Sequence, residues 1–188
     1  AFNTGVMVPM DYDSDGDLDV FVGARNTPLR YGVTPASAIY ENDGKGNFTV
    51  QTNALPVFTE SNAAVRASDV DHDGDLDLFV SGRNVPFQYP KGTVSRLLRN
   101  DSKPGVIKYV DVTAQIATEL LQEALICDAV WSDYNQDGWA DLIVAGEFLP
   151  VQVYQNTKGK LKKLTDTGLE QATGMWGSIT TADFDQDG

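Results

Sequence analysis

Four stretches of this chain place acidic residues at alternate positions and close on a glycine. Asp11, Asp13 and Asp15 precede Gly16; Asp69, Asp71 and Asp73 precede Gly74; Asp133, Asn135 and Asp137 precede Gly138; Asp183, Asp185 and Asp187 precede Gly188. The first three stretches reach a further carboxylate at the ninth position, Asp19, Asp77 and Asp141. Counting Asp17 and Asp75 at position seven, these segments hold 16 of the 27 acidic residues. Carboxylates this close repel one another unless a cation neutralises them. Alternation turns positions one, three and five toward one centre as the loop curls, and glycine at position six permits the sharp turn. Position seven, occupied by Asp17, Asp75 and Trp139, varies in type as expected of a residue that offers its backbone carbonyl. An oxygen-only site of six to eight ligands at flexible geometry suits Ca²⁺ better than Mg²⁺, which keeps more water and demands an octahedron. The expectation is three calcium sites and a truncated fourth. The third loop, with Asn135 in place of an aspartate, carries ligand charge −3 against −4 and should bind more weakly than the first two. The fourth should come last.

A calcium loop of the helix–loop–helix kind needs a glutamate at position twelve. That position holds Val22, Val80 and Val144, which excludes it. Short runs rich in β-branched and aromatic residues follow each loop: Leu18–Gly23, Leu76–Val80 and Ala140–Gly146. Extended segments precede them at Val6–Val8, Ala64–Ala67 and Asp128–Trp131. Each metal loop therefore reads as the turn of a β-hairpin.

The motifs start at residues 11, 69, 133 and 183, spacings of 58, 64 and 50. A self-similar unit of this length points to a propeller or solenoid. Further along each unit, Gly23-Ala-Arg25-Asn26-Thr-Pro28 matches Gly82-Arg83-Asn84-Val-Pro86 and, more weakly, Gly146–Pro150. Ser37–Asp43 matches Ser95–Asp101, with Val151–Asn156 as a third copy. Glycine turns and fourth strands follow at Phe48–Val50, Tyr109–Val112 and Leu161–Leu164. Four strands per unit is the count of a propeller blade. The predicted fold is all-β: a partial β-propeller of four-stranded antiparallel blades, about three plus the start of a fourth. The expected bounds are about 1–50, 59–113, 126–166 and 175–188. The long second spacing is expected to hold a helix over about 114–125, capped by Thr113, with Ile116, Leu120, Leu121, Ala124 and Leu125 on one face.

The pattern D-x-[DN]-x-D-G-x-x-D followed by an apolar strand and glycine resembles the FG-GAP/VCBS repeats of integrin-α-like β-propellers, and the G-R-N-x-P and Asn-Asp-Gly segments resemble the bacterial secreted type. The resemblance covers nearly the whole chain. It implies calcium ligands at Asp11, Asp13, Asp15 and Asp19, at Asp69, Asp71, Asp73 and Asp77, and at Asp133, Asn135, Asp137 and Asp141, with backbone oxygens from Asp17, Asp75 and Trp139. In the fourth copy only Asp183, Asp185 and Asp187 match. Propellers of the family have six to eight blades, so the chain is expected to be a fragment whose uncovered blade faces self-associate.

With 14 basic and 27 acidic residues the net charge is −13, which disfavours a nucleic-acid partner. No apolar run is long enough to span a bilayer as a helix. The single Cys127 and single His72 provide neither a zinc cluster nor a nucleophilic triad, and no phosphate-binding glycine loop opens a helix. His72 is expected to face solvent and Cys127 to be a small core residue. In an up-and-down blade the metal loops share one face, and the longer second-to-third-strand loops open the other. That second face would carry Arg25, Asn26, Arg30 and Tyr31, then Arg83, Asn84, Phe87 and Tyr89, then Glu147 in a loop with Phe148. Arginine beside aromatics and amides suits acidic or sugar ligands; the competing expectation is a structural turn in which arginine pairs with a neighbouring aspartate. The sequence thus argues for a non-catalytic calcium-binding module, extracellular, periplasmic or at the cell surface, that binds protein or carbohydrate in an adhesive role. The alternative is part of a propeller polysaccharide lyase.

Overall fold

The computed structural model describes residues 3–26, 36–58, 60–86 and 88–185. Its strands form three antiparallel sheets in chain order. The first is β1 (Asn3–Met10), β2 (Asp19–Asn26), β3 (Ala38–Asn42) and β4 (Phe48–Gln51). The second is β5 (Asn62–Ser68), β6 (Asp77–Gly82), β7 (Arg96–Asn100) and β8 (Tyr109–Asp111). The third is β9 (Ile126–Ser132), β10 (Asp141–Pro150), β11 (Gln152–Asn156) and β12 (Leu161–Lys163). Each is a meander in which every strand pairs with the next, the architecture of a propeller blade.

The blades pack face to face, and alternation along the strands sends side chains to two different neighbours. In β6 all six residues are buried, because this blade is covered on both sides. Leu78 and Val80 face the first blade, with Phe21, Ile39 and Tyr109. Phe79 faces the third, with Leu142, Val144 and Tyr154. The register carries the same division into β7, where Leu98 lies opposite Leu78 and Leu97 opposite Phe79. The core is therefore two slabs between blades rather than one central nucleus. Each buried side chain of this size contributes about 1.5–3 kcal/mol.

The inner strands β1, β5 and β9 stand side by side. Arg66 on β5 donates to the Ala129 carbonyl on β9 at 2.8 Å and pairs with Asp128.

Three expectations need correction. The helix over 114–125 is two short turns, α1 (Thr113–Ile116) and a 3₁₀ turn over Thr118–Leu121, broken at Ala117 with φ −149°. Thr113 does not cap it; its hydroxyl accepts from the Leu97 amide at 2.9 Å, a strand position. The break lets the chain swing back so that Ala124 bridges to Thr93, while Leu120 and Leu125 still enter the core. Next, Glu147 is not in a loop: β10 continues to Pro150 and its outer half is clamped by β13 (Thr173–Met175). Finally, the start of a fourth blade, expected over about 175–188, holds no strand between residues 176 and 185. A first strand draws its ladder from the second strand of its own hairpin, and none is present among the described residues. Ser178 and Ile179 instead donate to Asp128 Oδ2, each at 3.2 Å.

Candidate metal centre

The three complete loops adopt one conformation. Ser14, His72 and Gln136 at position four have φ between 57° and 62°, and Gly16, Gly74 and Gly138 at position six have φ between 88° and 100°. The glycines make this second left-handed step without a Cβ penalty. The glycine amide donates to the position-one carboxylate at 3.0 Å (Asp11), 3.2 Å (Asp69) and 2.8 Å (Asp133). The position-seven amide donates to position five at 3.1, 3.2 and 2.9 Å. These short-range bonds curl the chain and leave the other carboxylate oxygens converging.

Asp11, Asp13 and Asp15 each offer an oxygen within 4.8 Å of the others, and so do Asp69, Asp71 and Asp73. Asp13 is only 2% exposed, and its Oδ1 is buried with no hydrogen-bond partner. Oδ1 of Asp17, Asp69 and Asp75 is buried in the same unpartnered way. A buried carboxylate oxygen without a donor is costly, and a cation at the convergence point would supply what is missing. The donor set, all oxygen and mostly anionic, fits a hard divalent ion. At position seven, Asp17 and Asp75 each add a buried carboxylate oxygen without a donor beside these clusters.

The fields agree with this arrangement. Burial pushes Asp13 up from the ordinary carboxylate range, and the Gly105 amide offsets part of the rise. Asp75 is pushed up to about 6, first by burial and then by Asp73 and Asp71.

Position nine has a second function that sequence reasoning missed. Asp19 Oδ1 accepts the Asn42 amide at 2.8 Å and Oδ2 the Tyr12 amide at 3.1 Å. Asp77 repeats this with Asn100 (2.9 Å) and Val70 (3.1 Å), and Asp141 accepts from Asn156 at 2.7 Å. The ninth aspartate ties the loop to the end of its blade's third strand, and each of its oxygens keeps at least one lone pair free; Asp141 Oδ2 has no donor. The recurrence of Asn42, Asn100 and Asn156 was the available signal.

Position two was missed as well. Tyr12 is fully buried and meets Tyr109 edge-on at 6.0 Å, and Val70 enters the second core slab. The third loop differs. Asn135 donates its amide to Asp137 at 3.0 Å, spending a ligand oxygen internally, and Tyr134 is 47% exposed. Asp183 and Asp185 of the fourth motif lie beside Asp133 and Tyr134; Asp187 lies outside the described residues.

At the far end of the second strands, roughly 20 Å from the metal loops at ~3.4 Å per residue, a cavity of about 340 Å³ opens. Arg25, Arg83 and Glu147 line it from equivalent steps of the three blades, with Trp176 and Cys127 beside them. Equivalence is set by backbone bonds: the amides of Arg83 and Glu147 donate to Ser61 and Leu125, each at 2.9 Å. Arg83 donates to Glu147 Oε1 and the Tyr89 hydroxyl to Oε2, both at 2.8 Å. Burial would raise the Glu147 carboxyl, but these donors outweigh it and hold it below its usual range. Glu147 is therefore not a spare acid, and Arg83 pairs across blades rather than with a neighbouring aspartate. Asn84 does not reach the cavity; its amide donates to the Val85 carbonyl. The Asn26 side chain, Arg30, Tyr31 and Phe87 lie outside the described residues. Cys127 is half-buried at the cavity wall rather than in the core.

The FG-GAP-like repeat model matches residues 11–80 and 133–188, which include all four acidic motifs and more than half of the chain. No curated protein matches. No helix among the described residues is long and apolar enough to cross a membrane.

Proposed function

The chain belongs to the FG-GAP-like repeat family, and from that premise we propose that it is a calcium-stabilised, non-catalytic propeller module, working outside the cytoplasm, that holds a protein or glycan on the face opposite its metal loops. One observation carries the calcium reading: Asp13, clustered with Asp11 and Asp15, is almost fully buried and keeps an oxygen without a donor. Calcium, when bound, neutralises that cluster. The protein's own residues supply the rest: Asp11 and Asp15 are pre-set by loop amides, Asp19 anchors the loop to its sheet, and Tyr12 locks it against the next blade.

The binding reading rests on the cavity. Arg25 makes no ion pair among the described residues and faces a wall containing the Trp176 ring, a combination suited to a carboxylate-bearing sugar or an acidic side chain. A lyase would need a free base near a cation. Glu147 is held by Arg83 and Tyr89, and the metal loops lie at the other end of the strands, which supports binding over catalysis.

Calorimetric titration with calcium tests the first half; no heat of binding would overturn it. Titration with a uronic-acid polymer and with its neutral counterpart tests the second. Selective binding of the acidic polymer without unsaturated products is expected, and appearance of those products would replace this reading by the lyase one.

A further inference from the structure

The position-three residues of the first two loops are touched from outside their own blade, Asp13 at its carboxylate and Asp71 at its Cβ. The Gly105 amide, in the turn between β7 and β8, donates to Asp13 Oδ2 at 2.8 Å across 92 residues of chain. One blade further on, the turn between β11 and β12 lies against the second loop, here through a backbone bond and close packing rather than a donor to the carboxylate. Asn156 Nδ2 donates to the Val70 carbonyl at 2.9 Å, and its Oδ1 accepts the Gly159 amide at 2.9 Å. Gly159 sits so close to Asp71 that an added Cβ would come within 3.1 Å of the Asp71 Cβ. The third loop has no hairpin turn against it among the described residues; residues 181–185 lie there instead.

We propose that each of the first two metal sites is shared between two blades: the third-to-fourth-strand turn of the following blade positions the position-three ligand, so that cation binding and docking of that blade are one coupled event. Gly105 and Asn156–Gly159 are positioning residues, since they act through Asp13 and Asp71. The Gly105 donor engages Oδ2 of the buried Asp13 and restrains its side chain while Oδ1 keeps no donor, so the ion does not have to order it. Coupling of this kind is reciprocal. If the docked turn raises the affinity of loop one for an ion, the ion stabilises the docked turn by the same factor. Metal occupancy would then rigidify the arc blade by blade.

The inference rests on the calcium reading, and the experiment separates the two. Calcium is titrated calorimetrically into the wild-type chain, Gly159→Ala and Gly46→Ala. Gly159 and Gly46 both have φ above +80°, so alanine strains both turns, but nothing lies within 4 Å of a Cβ at Gly46. Gly159→Ala should weaken one site about five-fold or more, the low end of ordinary coupling, and Gly46→Ala should weaken none. In the wild-type chain, amide exchange at Gly105 and Gly159 should slow on adding calcium, while Gly46 should not change; this arm needs no variant and decides the matter if Gly159→Ala does not fold. A wild-type chain that takes up no calcium overturns both readings. Calcium binding with equal affinities in the two variants, or with turn exchange unchanged, overturns the shared-site inference alone.

Discussion

The imidazole of His72 lies flat on the indole of Trp139, ring centroids 3.7 Å apart and planes 8° from parallel. His72 is the fourth residue of the second metal loop and Trp139 the seventh of the third, so neighbouring loops touch through side chains that are not ligands. A stack of this kind is worth about 0.5–1.5 kcal/mol beyond area burial. His72→Ala should cost about 1 kcal/mol or less and should change tryptophan emission. Trp139→Phe should abolish that difference between the histidine and alanine forms. Identical emission spectra for wild type and His72→Ala would show that the stack does not persist in solution.

Chelation should destabilise the protein. An ion at ten times its Kd contributes about 1.4 kcal/mol per site. For a chain of this size 1 kcal/mol moves Tm by about 2–4 °C. Excess EDTA should therefore lower Tm by several degrees, and readdition of calcium should restore it. A melt unaffected by EDTA would count against filled sites.

The chelated protein should respond to pH in a direction opposite to most acidic proteins. Asp75 is pushed up to about 6, and Asp77 to about 7, burial being the first cause in each. A carboxyl whose folded pKa is raised contributes stability that is complete below the ordinary carboxylate range and lost as pH rises through the folded value. Without metal, Tm should rise as pH falls from about 7.5 toward 5. With calcium present the trend should flatten or reverse, because protons compete with the ion for the same oxygens. Thermal melts across that range, with and without EDTA, test the sign.

Two tyrosines at the same loop position should differ sharply. Tyr12 is fully buried against Tyr109 and donates its hydroxyl to the Val8 carbonyl, whereas Tyr134 is 47% exposed. Tyr12→Ala should cost about 3 kcal/mol or more, in the range for large aromatic truncations. Tyr134→Ala should stay within about 0.5 kcal/mol. Denaturant unfolding of the two variants measures the contrast.

At the opposite end, Glu147→Ala should cost about 1–3 kcal/mol by leaving Arg83 and the Tyr89 hydroxyl without their shared acceptor. Because Glu147 titrates below its ordinary range, its contribution is present above the unfolded pKa and lost as pH falls through the folded value. The difference between wild type and variant should therefore shrink in acid. A pH-independent difference would mean that the pair contributes through packing alone.

The metal loops were legible in the sequence because their geometry is local. Bonds from Gly16 to Asp11 and from Asp17 to Asp15 span two to five residues, so residue types at fixed offsets determine them. The four-strand unit was legible for a related reason: hairpin pairing joins adjacent segments, and alternation marks each strand. What joins blade to blade was not legible. Asp13 meets Gly105 across 92 residues, Asn156 meets Val70 across 86, and Arg83 meets Glu147 across 64. Those meetings depend on the angle and offset at which one twisted sheet packs on the next, which the side-chain volumes in the two slabs decide, Phe21, Leu78 and Tyr109 in one and Phe79, Leu97 and Tyr154 in the other. The break at Ala117 belongs to the same class: the periodicity of 114–125 favours a helix, and the strand bridge between Thr93 and Ala124 overrides it. Residue types at short spacing determined which oxygens can converge on an ion; only the packing of one blade against another decided which of those oxygens is buried, and by whose backbone it is held.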